Sequence, residues 1–448
     1  MAGLAFVSDR TAGDMLAEYF DRVETDDDIT FALRVWTDPP IDRERLSNAW
    51  AEVLASNPHT AKWGEKIRLS IDSGDARIEF EFHHAAIDGI GAGHLVSAAL
   101  ALYAGHLKNK PVGPSSSSRP IPKSRGDGPA GSSSAGSLSA GSLSAGSLPA
   151  GSFSAASPAP SNRVGPAAVW SHLRATLAGH NASLVTHRRA EVPPAERLDQ
   201  PIDSRWQRFA DDEVLSVKLS IDVGNRLARR CRGNRTPIND VAVAAAMSAA
   251  AAMITPARGR HINIVNPVNL RLPSQRRRVA NTIGLAMVRR THLSDMSIGP
   301  LIDDVSKQLS YVRKHRVAAE IESGLAITRS VPGVWRWVRR RGWFRPTMMV
   351  TSMASFAAGR RNGLAGGGVN LVDSTIIPTL GGGCELSMAM WRIGRQTSFS
   401  LRMSPPRSMS PPAVDEFRQV VETMATRIAG NLSRYACEES AASPDTLS

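Results

Sequence analysis

The clearest periodic pattern lies in the first quarter of the chain. Residues 76–82 read Ala-Arg-Ile-Glu-Phe-Glu-Phe, and this alternation of apolar and polar side chains is typical of a half-buried strand. Further along, Leu95, Ala99, Leu102 and Tyr103 recur at the spacing of one helix face. The pattern therefore predicts a strand and a helix that are joined by a short loop.

The predicted loop, residues 83–89, reads His-His-Ala-Ala-Ile-Asp-Gly. If the strand pleat continues into it, His84 lies on the face of Phe82 and His83 points the other way. A histidine titrates near neutral pH, so His84 can take a proton from a hydroxyl or an amine and return it to a leaving group. No Gly-x-Ser-x-Gly elbow accompanies the loop, and no cysteine lies near it in the sequence. Direct attack by an acceptor is therefore favoured over an acyl-enzyme intermediate.

The other polar residues of the loop point to support roles. Asp88 precedes the predicted helix, where it can cap backbone N–H groups or pair with an arginine and so fix the loop. The sequence does not identify that arginine, and Arg271 is one candidate. Gly89 can adopt a backbone conformation that is closed to other residues, and we assign a structural role to His83. No further clustered ligand joins His83, His84 and Asp88, so we predict no metal site.

The composition of the chain changes in its middle. Residues 108–162 carry a repeated five-residue unit rich in Ser, Ala and Gly, and their low apolar content predicts a disordered linker. We predict an N-terminal lobe with the histidine loop over 1–107, a C-terminal lobe over 163–436 and a tail over 437–448. Strands and helices mix in both lobes, which indicates an α/β (or α+β) protein. Further strands are predicted over residues 28–36, 213–219, 261–271, 282–288, 348–352, 375–379 and 398–403, and helices from residue 41 and over 167–177, 241–253, 302–316 and 414–432.

The charge balance narrows the choice of partners. Lys and Arg number 54 against 41 Asp and Glu, a net charge of +13, which favours a phosphate-bearing co-substrate, an acidic carrier protein, a membrane surface or nucleic acid. The basic-aromatic run over residues 335–345 fits a solvated helix face or a peripheral membrane contact. We do not expect nucleic acid as a partner, because no nucleic-acid-binding motif accompanies the charge.

Targeting signals and cysteines add little. The first residues lack the basic and apolar regions of a signal peptide, and the longest apolar run, residues 241–254, is too short to span a bilayer. We therefore expect a cytoplasmic protein, with membrane association as an open alternative. The three cysteines are far apart and odd in number, so they form neither a disulfide framework nor a zinc site.

The His-His-x-x-x-Asp-Gly loop resembles the active-site motif of the chloramphenicol acetyltransferase-like acyltransferases. That superfamily includes condensation domains of non-ribosomal peptide synthetases, polyketide-associated acyltransferases and bacterial wax ester synthase/diacylglycerol acyltransferases. The resemblance implies that His84 is the catalytic base and that Asp88, the other residue we place in the catalytic set, has a mainly structural role. It also implies two similar lobes that meet at a tunnel, with donor and acceptor entering from opposite faces.

Weaker similarities extend along the chain. Residues 41–59 resemble the early segment of condensation-type lobes. Asn239 and Asp240, before an Ala-rich helix, resemble the Asn-Asp motif of the wax ester synthase branch, although they could simply start that helix. Residues 266–271 resemble the Pro-Val-x-Leu-Arg segment of that branch, and 281–284 more loosely its following Gly/Asn turn. We therefore treat Asn239 and Asp240 as a candidate motif of the second lobe.

The resemblance leads to a main hypothesis and two alternatives. The main one is an acyltransferase that moves an acyl group from acyl-coenzyme A to an alcohol, with His84 as general base and no tightly bound cofactor. The first alternative is a condensation-type enzyme that forms amides or esters from acyl-carrier-protein thioesters. Its partners would act in trans, because no adenylation or carrier domain is evident in the sequence. The second alternative is a catalytically inactive scaffold that binds membranes.

Overall fold

A computed structural model gives the structure of this protein. It describes residues 29–57, 60, 63–72, 76–105, 180–184, 189, 202–210, 212–254, 260–272, 279–290, 296–319, 346–353, 370–380, 384–404 and 409–438. The predicted linker (108–162), the predicted helix over 167–177, the basic-aromatic run over 335–345 and all but the first two residues of the predicted tail lie outside these residues.

Strands and helices are interspersed along the described residues. The strands are β1 (Thr30–Asp38), β2 (Ile67–Asp72), β3 (Arg77–His83), β4 (His180–Asn181), β5 (Asp203–Phe209), β6 (Asp212–Lys218), β7 (Arg260–Asn269), β8 (Ile283–Arg290), β9 (Met348–Met353), β10 (Asn370–Ile377), β11 (Leu386–Ile393) and β12 (Gln396–Met403). The helices are α1 (Arg43–Ala55), α2 (Gly89–Tyr103), α3 (Ile221–Gly233), α4 (Ile238–Met253), α5 (Ile298–Lys314) and α6 (Pro411–Cys437), with a short 3₁₀ turn at Gly64–Lys66.

The smaller sheet carries the histidine loop. Among the described residues it has four strands in the order β10-β1-β3-β2, and each neighbouring pair is antiparallel. Its apolar face packs on α1 and α2, since Phe80 of β3, Trp50 of α1 and Leu95 of α2 belong to one buried cluster. The alternation along β3 therefore places one face in the core, as the sequence pattern predicts.

The larger sheet lies in the later part of the chain. Its described strands run in the order β4-β7-β9-β11-β12-β6-β5, and β8 pairs with β7. Helices α4, α5 and α6 pack on one face, and residues Val241–Met247 of α4 are fully buried. This burial confirms that the Ala-rich helix is a core helix, because small side chains allow close approach on every side.

Two features join the sheets. Strand β10, from the later part of the chain, pairs with β1 of the smaller sheet. Arg402 of β12 is fully buried, pairs with Asp212 (2.8 Å from Nε to Oδ2) and donates from Nη1 to the Thr30 carbonyl oxygen at 2.6 Å. Thr30 lies opposite His83 in the sheet. The larger sheet thus supports the strand beside the histidine loop.

The described elements agree with the predicted α/β class, but β2, α3 and β11 are not among the predicted elements. The pattern predicts no strand over β11, because its sequence, Leu-Ser-Met-Ala-Met-Trp-Arg-Ile, does not alternate cleanly. Residues 386–391 are all buried. A strand that is covered on both faces needs no polar positions, so its sequence loses the period of two. The division into lobes at 108–162 stays a prediction.

Candidate functional site

His84 is the first residue after β3, and its backbone is held on both sides. Its N–H donates to the Ile29 carbonyl oxygen at 3.0 Å, and the Asn281 amide donates to the His84 carbonyl oxygen at 2.6 Å. Its ring packs on Phe31, with 4.8 Å between the ring centroids. Phe31 also stacks on Phe82. His84 therefore continues the Phe82 face of the strand, as the pleat predicts.

The surroundings of His84 keep its imidazole neutral. Burial lowers the pKa of His84 from 6.5 to about 4, and the neighbouring His83 lowers it further, while Asp88 acts in the opposite direction. Removal from water disfavours the charged form of a histidine. At neutral pH the ring therefore has a lone pair on one nitrogen that can accept a proton.

This lowered pKa gives a prediction for titration by NMR. The His84 ring signal, assigned by its loss in His84→Phe, is expected to titrate with a midpoint near the pKa of about 4. Because the folded-state pKa lies below the ordinary value of 6.5, the contribution of His84 to the free energy of unfolding is fully present above pH 6.5. That contribution is lost as the pH falls from 6.5 towards 4. A midpoint at 6.5 would show that the surroundings of the ring do not lower its pKa.

His83 faces away from this ring and supports the turn. It is 3% exposed, and its Nδ1 accepts a hydrogen bond from the Ala85 N–H at 3.2 Å. Its carbonyl oxygen accepts a second bond from the Ala86 N–H at 2.9 Å. These contacts stabilise the backbone next to His84, and the structural role of His83 stays a prediction.

Asp88 is buried, and its hydrogen bonds hold the loop against neighbouring elements. Its carboxylate forms two bonds with Arg271, of 2.7 Å and 2.8 Å, and both side chains are fully buried. It also accepts from the Gly91 N–H at 2.8 Å, which caps α2, and from the Thr282 N–H at 2.7 Å. The arginine candidate is thereby confirmed. The Arg271 guanidinium also donates to the Ala280 carbonyl oxygen at 2.8 Å, so the loop is tied to the segment between β7 and β8.

Gly89 and Gly91 allow the larger sheet to approach the loop closely. A Cβ atom at Gly89 would lie 3.3 Å from the sulfur of Met353, at the end of β9. At Gly91 a Cβ atom would lie 2.7 Å from Ile87 and 3.2 Å from the Ala280 carbonyl oxygen. A side chain at Gly91 would therefore displace the backbone that bonds Arg271.

Asn239 and Asp240 have well-defined partners in the larger sheet. The amides of Asn239 and Asn266 bond each other at 2.9 Å and 3.0 Å, and Asn266 also donates to the Val350 carbonyl oxygen at 2.7 Å. The fully buried Asp240 forms two 2.8 Å bonds with Arg313. The pair therefore connects α4 with β7, β9 and α5, and its predicted part in the site stays a prediction.

Asn281 is a residue of the site to which the sequence assigns no role. It is 2% exposed and bonds the His84 carbonyl oxygen, and the next residue bonds Asp88. The only signal is the loose resemblance of residues 281–284 to a Gly/Asn turn, which gives no spatial partner. Within the described ranges no group of three His, Cys, Asp or Glu side chains is placed to hold a metal. None of the helices described here combines the length and apolarity that crossing a membrane requires.

Comparisons with known proteins give matches in structure. No protein-family model matches the sequence, and no curated protein matches it. The first condensation domain of the CDA synthetase matches with a TM-score of 0.51 and 12% identity, over 96% of this chain and 95% of that one. The EpoB NRPS cyclization-docking bidomain from Sorangium cellulosum matches with a TM-score of 0.53 and 12% identity, over 95% of this chain and 84% of that one.

A further match is polyketide synthase associated protein 5 from Mycobacterium tuberculosis, with a TM-score of 0.49 and 14% identity over 91% of this chain and 95% of that one. At these identities a structural match establishes the fold and not the activity. The two sheets and their helices match the two-lobe condensation-domain architecture, while the tunnel stays a prediction. The chain thus has the fold of the condensation domains, which confirms the predicted chloramphenicol acetyltransferase-like architecture.

Proposed function

We propose that this protein is an acyltransferase that uses His84 as its general base. The observation that carries the proposal is that His84 lies on a turn whose backbone is fixed from both sides, and burial lowers the pKa of its ring. A general base must be unprotonated at the working pH and must be held where the acceptor can reach it. Such a base can activate an acceptor directly, so no nucleophilic side chain of the protein is needed.

The reaction follows from the properties of that base. His84 accepts the proton of an acceptor O–H or N–H while the acceptor oxygen or nitrogen attacks the thioester carbonyl carbon. The tetrahedral intermediate then collapses, the carbon–sulfur bond breaks, and the thiolate takes the proton back from the imidazolium. Asp88 and Arg271 act as positioning residues, because their paired side chains fix the start of α2 next to this turn.

We further propose that the acyl group arrives as a pantetheine thioester on a carrier protein. Support comes from two solved structures that match above a TM-score of 0.5, the first condensation domain of the CDA synthetase and the EpoB NRPS cyclization-docking bidomain. The net charge of +13 also suits an acidic carrier protein.

A second candidate function is transfer from acyl-coenzyme A to an alcohol. The observation that favours it is the contact between Asn239 and Asn266. Both residues lie in segments that resemble the wax ester synthase branch, and the contact makes the two segments one structural unit. The two candidates share His84 and differ in the donor.

Thiol release from matched donors tests both candidates. One acyl group is supplied either on coenzyme A or on a carrier protein, and each donor is combined with an amine or an alcohol. We expect acceptor-dependent release that is faster from the carrier-bound donor. Faster release from acyl-coenzyme A with alcohols would favour the second candidate. No acceptor-dependent release from any combination would contradict the acyltransferase proposal and leave the inactive scaffold.

A further inference from the structure

Asn263 of β7 is a buried polar side chain outside the site described above. It is 0% exposed, and its backbone N–H and carbonyl oxygen both bond Thr347, at 3.1 Å and 2.8 Å. Its side-chain Oδ1 and Nδ2 are also buried, but neither has a hydrogen-bond partner in the part of the chain that the structure describes. Leaving an amide unsatisfied in a buried position is costly. A polar ligand at this position would supply the hydrogen bonds that the Asn263 side chain lacks.

Arg289 of β8 lies directly opposite Asn263 in the antiparallel pair. Opposed residues in such a pair project from the same face of the sheet, with their Cβ atoms about 5 Å apart. The Nε and Nη2 atoms of the half-buried Arg289 are buried and have no partner among the described residues. Together these atoms form the side-on edge of the guanidinium, which binds two oxygens of one oxyanion.

The neighbouring Arg290 is paired with a carboxylate, as most partly buried arginines are. Arg290 projects from the opposite face of β8, where its Nε donates to Asp304 of α5 at 2.6 Å. Consecutive strand residues alternate between faces, so Arg289 does not share this carboxylate. Arg289 therefore differs from Arg290 in its lack of a described acidic partner, although both are adjacent in one strand.

Asn263 and Arg289 share a sheet face with the candidate site. Two residues along each strand, Val265 and Met287 are paired, and both cluster with Met349 of β9. Met353 lies on that same face of β9 and reaches the Gly89 position at the histidine loop. Along the strands, Met353 lies six positions from the level of Asn263, which is about 20 Å at 3.3 Å per residue.

We propose that Asn263 and Arg289 form a binding subsite for a phosphate group carried by the thioester donor. This inference rests on the proposed acyltransferase function and names the part of the donor that the protein holds. The guanidinium edge supplies two donors and the Asn263 amide supplies a third. In a carrier-bound or coenzyme A thioester this phosphate is esterified on both sides, and its two anionic oxygens can accept these three hydrogen bonds. An extended pantetheine arm has a length comparable to the distance between the subsite and the histidine loop.

The charge state of Arg289 agrees with this assignment. Burial lowers the pKa of the Arg289 guanidinium below its usual value, because removal from water disfavours the charged form. An anion next to the guanidinium would offset that cost. A bound phosphate would thus stabilise a charge that the described residues leave uncompensated.

Calorimetric titration of the protein with 4′-phosphopantetheine and with pantetheine tests the subsite, because these two probes differ only in the phosphate. We expect wild type to bind phosphopantetheine about 10- to 100-fold more tightly than pantetheine. Arg289→Met is expected to lose this difference, and Arg290→Met to keep it. Asn263→Leu is expected to reduce the difference by about 5- to 10-fold.

Thermal unfolding separates a binding role from a structural one. Arg289→Met removes a half-buried charge without a described partner, so we expect its melting temperature to stay at or above that of wild type. A lower melting temperature together with unchanged phosphopantetheine binding would overturn the proposal. Equal binding of the two probes by wild type would also overturn it. If acetate displaced bound phosphopantetheine and inorganic phosphate did not, the proposal of a phosphate subsite would be wrong and the ligand would be a carboxylate. Binding is measured without turnover. The phosphate subsite can therefore be confirmed even if no thiol release is observed, and thiol release can be observed even if the two probes bind equally.

Discussion

Replacing Arg271 with methionine is expected to lower the free energy of unfolding by about 3–5 kcal/mol. Arg271 and Asp88 are both fully buried, and two bonds of 2.7 Å and 2.8 Å join them. Without the guanidinium, Asp88 keeps only the N–H groups of Gly91 and Thr282 as partners among these contacts. A buried carboxylate that loses its counter-charge is strongly unfavourable. Chemical denaturation of the two proteins under the same conditions measures the loss.

Two further variants show whether this loss comes from an unpaired buried charge. Adding Asp88→Asn to Arg271→Met removes the charge, so the double variant is expected to recover part of the lost stability. Arg313→Met is the matched control. Its guanidinium also forms two bonds with a buried carboxylate, that of Asp240, but 36% of the Arg313 side chain is exposed. We expect a smaller loss there, because water can hydrate the vacated position. Equal losses at Arg271 and Arg313 would contradict this explanation.

The local structure of the histidine loop could be predicted from the sequence. The alternation over residues 76–82 and the apolar spacing after Leu95 are properties of neighbouring residues, and they determine the strand and the helix. The loop between them then follows. The orientation of His84 could also be predicted, because the pleat of a strand assigns each side chain to one face.

The partners of the loop could not be predicted from local patterns. Arg271 lies 183 residues after Asp88, and Asn281 lies 197 residues after His84. Such contacts depend on how β3, β7 and the start of β8 are brought together, which no local period encodes. The sequence offers Arg271 as one candidate among many arginines and assigns no role to Asn281.

The same reasoning explains why the proposed phosphate subsite is invisible in the sequence. Asn263 and Arg289 look like ordinary polar positions of two strands. Only the register of β7 against β8 places them opposite each other. Only their burial shows that the two side chains lack partners among the described residues. A site of this kind is defined by pairing and desolvation, and both are properties of the folded chain.

Replacing His84 with alanine is expected to reduce kcat/KM for acyl transfer by about 100- to 10,000-fold. The variant removes the group that accepts the acceptor's proton, while the carboxylate of Asp88 and the backbone of the turn remain. The effect is expected mainly in kcat, because the base takes up the proton in the transition state and contributes little to substrate binding. Steady-state thiol release with a saturating acceptor measures it.

Two matched variants separate this catalytic role from packing. His84→Phe keeps an aromatic ring against Phe31, whose centroid lies 4.8 Å from that of His84. It is therefore expected to be more stable than His84→Ala and equally slow. His83→Asn keeps an oxygen that can accept from the Ala85 N–H, as Nδ1 of His83 does at 3.2 Å, and is expected to retain most of the activity. If His84→Phe restored the rate, or if His83→Asn were as slow as His84→Ala, the imidazole of His84 would not be the base, and its contribution would be to the shape of the turn.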